Sequence, residues 1–111
     1  MKALLTAAAL VSLGLSFSAH AECPFPKAPA TIPDGSTASE AEMIAAMNAF
    51  KAYNEEVKAF QACLDEETKS KSATMAFKAM QAKKLAAAVE ELETKAKQFN
   101  EQVRIFKARS G

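Results

Sequence analysis

Residues 39–64 read SEAEMIAAMNAFKAYNEEVKAFQACL, and this stretch decides the fold. Most of its large apolar residues fall at Met43, Phe50, Tyr53, Val57, Phe60 and Leu64, with Ala46 filling the remaining position. That 3-4 spacing runs through three heptads and lays one continuous stripe on a helix. Ser39 followed by Glu42 is a capping box, in which each side chain satisfies the other's backbone N–H, so the helix is expected to start there. Thr37 with Glu40 is a rival start two residues earlier.

A second stripe follows at Leu85, Val89, Leu92, Ala96, Phe99, Val103 and Phe106. Between the two lies DEETKSKSAT (65–74), with no large apolar side chain and several Ser and Thr, which favour caps and turns. The reversal is therefore placed near Thr68 to Ser72. The start of the second helix is the least defined boundary, because Met75, Phe77 and Met80 share no clean phase with its stripe. No Gly or Pro occurs from Ser36 to Ser110, so nothing in the backbone chemistry interrupts either helix. The expected fold is all-α, a long antiparallel helical hairpin of about 39–68 and 73–108.

Charge supports the pairing. Residues 39–67 hold seven acids and two bases, whereas residues 69–109 hold ten bases and four acids. Opposite charge favours adjacent packing, although exposed pairs contribute only about 0.2–1 kcal/mol each and solvated faces account for most of these residues. The predicted core is Phe50, Val57, Phe60, Val89, Leu92 and Phe99. A hairpin alone leaves apolar surface on its outer sides, and dimerisation into a coiled-coil-like four-helix bundle is a natural way to bury it.

Upstream, the chain changes character. Lys2 precedes an uncharged apolar run, Ala3 to Phe17, and Ala19-His20-Ala21 has the small-x-small pattern of a cleavage site. Residues 1–21 are thus expected to be a signal peptide, since the run falls short of the roughly 20 residues that span a bilayer. A lipoprotein reading is weaker, because Cys23 would be the second residue after the cut rather than the first. The expected location is the periplasm or the exterior, with no transmembrane segment after signal removal.

Export changes what the remaining residues can do. Removing Lys2 from the 14 basic residues leaves 13, against 13 acidic, so the balance after residue 21 is formally neutral. That argues against nucleic acid as a partner. The one histidine, His20, leaves with the signal, and with it goes the commonest general base and metal ligand. Two cysteines, Cys23 and Cys63, read as one disulfide in an oxidising compartment, with a pair of buried thiols as the alternative. They lack the Cys-x-x-Cys spacing of a redox pair.

All four prolines lie in residues 22–35, at 24, 26, 29 and 33, which favours an extended arm. Ile32-Pro33-Asp34-Gly35 is a turn signature, with Gly expected to accommodate positive φ. Cys63 lies about 36 Å along the first helix at 1.5 Å per residue. The roughly 16 residues from Cys23 to the helix start can span roughly 50 Å when extended. Residues 22–38 are therefore read as an arm and turn strapping the seam, with Phe25 and Ile32 as apolar contacts.

Candidate chemistry is sparse. Met43, Met47, Met75 and Met80 invite a Cu(I) reading through their thioethers, but an antiparallel pair separates Met43 from the early second helix, and core packing explains them. Glu55-Glu56, Asp65-Glu66-Glu67 and Glu90-Glu91 offer carboxylates without a pocket to shift a pKa. Asn54, Asn100 and Gln102 border the stripes and suit register control or a rim. Ala82 to Val89, with Lys83 and Lys84, could lie on a membrane surface, but acids follow at once. No catalytic set, phosphate loop, metal site or cofactor site emerges.

The open end of the hairpin gathers Arg104 and Lys107 with Glu40 and Glu42, where the helix dipole favours the acids. This is the candidate partner surface. IPDGSTASEAEM (32–43), YNEEVKAFQACL (53–64) and FNEQVRIFK (99–107) together resemble a family of small uncharacterised exported helical proteins of proteobacteria. The resemblance implies a periplasmic helical protein and no particular activity. The LTxxQ repeats of periplasmic hairpin chaperones are not present. The sequence thus points to a non-enzymatic periplasmic interaction or scaffold protein whose partners are itself, as a homodimer, or an envelope protein. The alternative is a chaperone-like or lipid-surface binder using an exposed apolar groove.

Overall fold

The computed structural model describes residues 22–70 and 73–110; the signal-peptide expectation for 1–21 lies outside them. Two helices make up the fold, α1 (Glu40–Ser70) and α2 (Met75–Ser110), packed as a hairpin. Both run two residues past the ends that the sequence suggested for them, and α2 begins at 75 rather than 73.

The capping box closes the start of α1. Ser39 N–H donates to Glu42 Oε1 (2.8 Å), and Glu42 N–H donates to Ser39 Oγ (3.1 Å). The start of α2 is capped by Thr74, whose Oγ1 accepts from Phe77 N–H at 3.0 Å. This is the cap that the Ser/Thr-rich connection obscured, since any of several hydroxyls there could have served.

The α1 stripe packs as its spacing requires. Met43, Tyr53, Val57, Phe60 and Leu64 are buried, with Ala46 and Phe50 half-buried. On α2 the buried positions are Gln81, Ala88 and Phe99, while Leu85, Val89, Leu92, Ala96 and Val103 are only half-buried. The core expected from Phe50, Val57, Phe60, Val89, Leu92 and Phe99 is therefore corrected on α2. At 100° per residue, its buried face is turned by about 40° from the centre of its apolar stripe. Ala88, only 1% exposed, sits against Phe60 and Leu64, where its small side chain admits close approach beside Cys23.

Two clusters result. One gathers Ala38, Met43 and Phe99 with Ile32, Phe50, Val103 and Phe106 around it. The other gathers Phe60, Leu64 and Ala88 with Cys23 and Leu85. Phe50 stacks on Phe99 (centroids 4.9 Å, 10° between planes), and Tyr53 meets Phe50 edge-on. Near the connection, the buried Gln81 ties the helices by donating Nε2–H to Glu67 Oε1 (2.9 Å) and weakly to Leu64 O (3.4 Å).

Residues 22–39 carry no helix or strand and lie along the hairpin. Cys23 and Cys63 are disulfide-bonded with Cα atoms 5.8 Å apart. Phe25 meets Phe60 edge-to-face at 5.4 Å, and Lys27 N–H donates to Glu56 Oε1 at 3.1 Å. Asp34 organises the turn. Its carbonyl accepts from Thr37 and Ala38 N–H, and its carboxylate accepts from Ser36 N–H and Oγ–H. Those two bonds from Ser36 hold the Asp34 carboxyl below its usual pKa.

Gly35 corrects one expectation, because no described residue has positive φ. Glycine is needed here for space. A Cβ would overlap the Gln102 carbonyl oxygen and lie 3.0 Å from the Phe106 backbone nitrogen. Gly35 N–H also donates to Gln102 Oε1 at 2.8 Å. The turn thus seats directly on the α2 backbone.

Candidate functional site

The two sides of the hairpin seam differ. On one side, the N-terminal segment touches Glu56, Phe60 and Cys63 of α1 and Gln102 of α2. Glu56 and Cys63 are seven residues apart and share a helix edge. On the other side, Met47 and Asn54 form the opposite edge of α1 and face Leu92 and Ala96 of α2. Phe50 and Phe99 form the floor of this shallow groove. No described residue of the N-terminal segment lines it. Met47 remains 42% exposed, and Lys51 and Glu93 stand at opposite rims. Neither Lys51 nor Glu93 forms an ion pair among the described residues.

Tyr53 lies at the heart of the seam, 2% exposed, its hydroxyl at a long 3.5 Å from Glu91 Oε1. Burial first, and the Glu91 charge second, raise its pKa above the ordinary phenol value. The pair is a polar closure of the core and presents no reacting group to a cavity.

The open end is arranged differently from the sequence expectation. Arg104 turns along its own helix to Glu101. Glu42 is engaged by the Ser39 cap, and Glu40 and Lys107 line a shallow depression without an ion pair between them. Arg109 reaches the start of α1 instead. Its guanidinium donates to the carbonyls of Ser36 (2.9 Å) and Ala38 (2.6 Å) and lies 5.0 Å from the Phe106 ring centre. Arg109 lies beyond the last apolar residue of the stripe, and no spacing rule pointed to it.

Among the described residues, no group of three or more His, Cys, Asp or Glu could hold a metal ion. Met43 is buried in the core while Met75, at the start of α2, is 82% exposed, so the structure does not bring these two thioethers into one site. No helix of the described residues is long and apolar enough to cross a membrane. No family model matches the chain, and no curated protein or solved structure shows significant similarity.

Proposed function

We propose that this is a non-enzymatic, exported interaction protein of the periplasm, which works by burying the open side of its hairpin seam against a protein partner. The observation that carries the reading is the asymmetry of the hairpin. One side is covered by a disulfide-tied segment, and the other presents an apolar groove floored by Phe50 and Phe99. Contiguous exposed apolar surface on a small domain marks a contact site. The Cys23–Cys63 bond supports export to an oxidising compartment. Self-association and binding of an envelope protein both fit such a groove.

A second reading, a chaperone-like or lipid-surface binder, draws on the exposure of Phe25 and Met47, 50% and 42%. The experiment places a photo-reactive residue at Met47, irradiates intact expressing cells and identifies adducts by mass spectrometry. One or a few defined protein adducts are expected. A broad smear of clients, or lipid adducts alone, would favour the second reading; no adduct would reject the groove as a contact surface.

A further inference from the structure

The apolar stripe of α2 is not used up within the hairpin. Leu85, Val89, Leu92, Ala96 and Val103 remain half-buried because the face that α2 presents to α1 is turned by about 40° from the stripe's centre. The turn is away from the open side. At 100° per residue, Gln102, on the segment-covered edge, lies on one flank of the buried face, while the stripe residues Leu92 and Ala96 lie toward the other flank and line the groove. The apolar surface of Leu92 and Ala96 therefore lies on the side that no described residue of the N-terminal segment lines.

The rims of that groove are self-complementary. α1 contributes Lys51 and α2 contributes Glu93, offset along the axes by about 7 Å when counted from the stacked Phe50 and Phe99, a gap that two long side chains can span, and neither has an ion-pair partner among the described residues. A second copy can dock face to face in two symmetric ways. With the two-fold axis parallel to the helices, α1 of one copy lies over α2 of the other, and each Lys51 meets Glu93 of the partner subunit. With the axis across the helices, α1 lies over α1, and Lys51 meets its own like charge. Electrostatics selects the first arrangement, since like charges juxtaposed are costly.

The size also suits. α1 has 31 residues, so it is about 46 Å long at 1.5 Å per residue. Two helices side by side, each about 10 Å across, give a face of roughly 900 Å² per copy. Two such faces bury about 1,800 Å², within the range of stable protein interfaces.

We infer that the occupant of the groove is a second copy of this chain, docked about a two-fold axis parallel to the helices, with Lys51 of each copy opposite Glu93 of the other. This rests on the contact-surface reading of the groove proposed above. The test is sedimentation equilibrium of the purified protein, of Lys51→Glu, of Glu93→Lys, and of the two variants mixed. Circular dichroism checks that each variant keeps its helices, which both exposed positions should allow.

The wild type is expected to dimerise at concentrations on the order of 100 μM or below. Each variant alone should dimerise at least about tenfold more weakly. The equimolar mixture should recover the dimer, since one variant then carries both acids and the other both bases. Recovery only on mixing cannot arise from a contact within one chain. A monomeric wild type overturns the proposal, as do single variants that dimerise unchanged or a mixture that does not recover. The Met47 photo-adducts separate the two levels. Adducts to another protein alone overturn the second copy and leave the contact surface standing, and no adduct overturns both.

Discussion

Replacing Gly35 by alanine tests how closely the turn sits on α2. Gly35 has no positive φ, so its backbone conformation is open to alanine. On conformational grounds alone, Gly→Ala at such a position stabilises by about 0.4–1 kcal/mol, because the unfolded chain loses freedom. The structure demands the opposite sign. The new Cβ would overlap the Gln102 carbonyl oxygen and lie 3.0 Å from both the Gln102 carbonyl carbon and the Phe106 nitrogen. These are backbone atoms of a continuous helix and cannot swing aside. Separation would strain or break the Gly35 N–H to Gln102 Oε1 bond, a loss of about 1 kcal/mol. Overpacking adds about 1–3 kcal/mol. After subtracting the unfolded-state gain, Gly35→Ala should destabilise by about 2 kcal/mol, a fall in Tm of roughly 10 °C for a chain of this size. Urea unfolding followed by circular dichroism at one protein concentration measures it. Gln102→Ala, which removes the hydrogen bond without adding bulk, should cost only about 1 kcal/mol. A neutral or stabilised Gly35→Ala would refute the close contact between turn and helix.

Phe60→Ala should cost about 3–5 kcal/mol, since Phe60 is 3% exposed and packs against Phe25, Leu64 and Ala88; a loss below about 1 kcal/mol in denaturant would contradict that enclosure. Cys23→Ser opens a loop spanning 40 positions, for which chain entropy gives about 4 kcal/mol, and mass spectrometry of the unreduced wild type should find no alkylatable thiol. Tyr53 has a folded pKa above that of the unfolded phenol, so its contribution is complete below about pH 10 and is lost as pH rises through the folded value. Tyr53→Phe should reduce that alkaline loss, and identical alkaline limbs for the two proteins would count against the burial of the hydroxyl.

The α1 half of the fold was legible because one face carries both the periodicity and the packing. Met43, Tyr53, Val57, Phe60 and Leu64 are buried and Ala46 and Phe50 half-buried on the face that their spacing sets, and Ser39 with Glu42 closes the cap. The disulfide was legible from cysteine count and reach. The face of α2 was not, because periodicity counts apolar side chains and cannot weigh Ala88 or Gln81. Ala88 is buried for its small size beside the Cys23–Cys63 bond, and Gln81 because its amide finds Glu67 and Leu64 across the seam. The role of Gly35 is hidden from sequence for a related reason. A turn dipeptide announces a bend, but the proximity of the α2 backbone is a tertiary fact. At the open end, Arg104 and Lys107 were reasonable reaches toward Glu40 and Glu42. The i, i+3 neighbour Glu101 holds Arg104 on its own helix, and Arg109, more than a turn further on, reaches the carbonyls of Ser36 and Ala38.

The open side of the seam can be probed directly by methionine oxidation. Met47 stands on the groove, and Met75, at the start of α2, is 82% exposed and serves as an internal reference. Limited peroxide treatment across a range of protein concentrations, read by peptide mass spectrometry, gives the ratio of the two rates. If the groove is where two copies meet, Met47 oxidation should slow several-fold relative to Met75 as concentration rises through the dissociation constant. A ratio that stays constant from dilute to concentrated protein would contradict it.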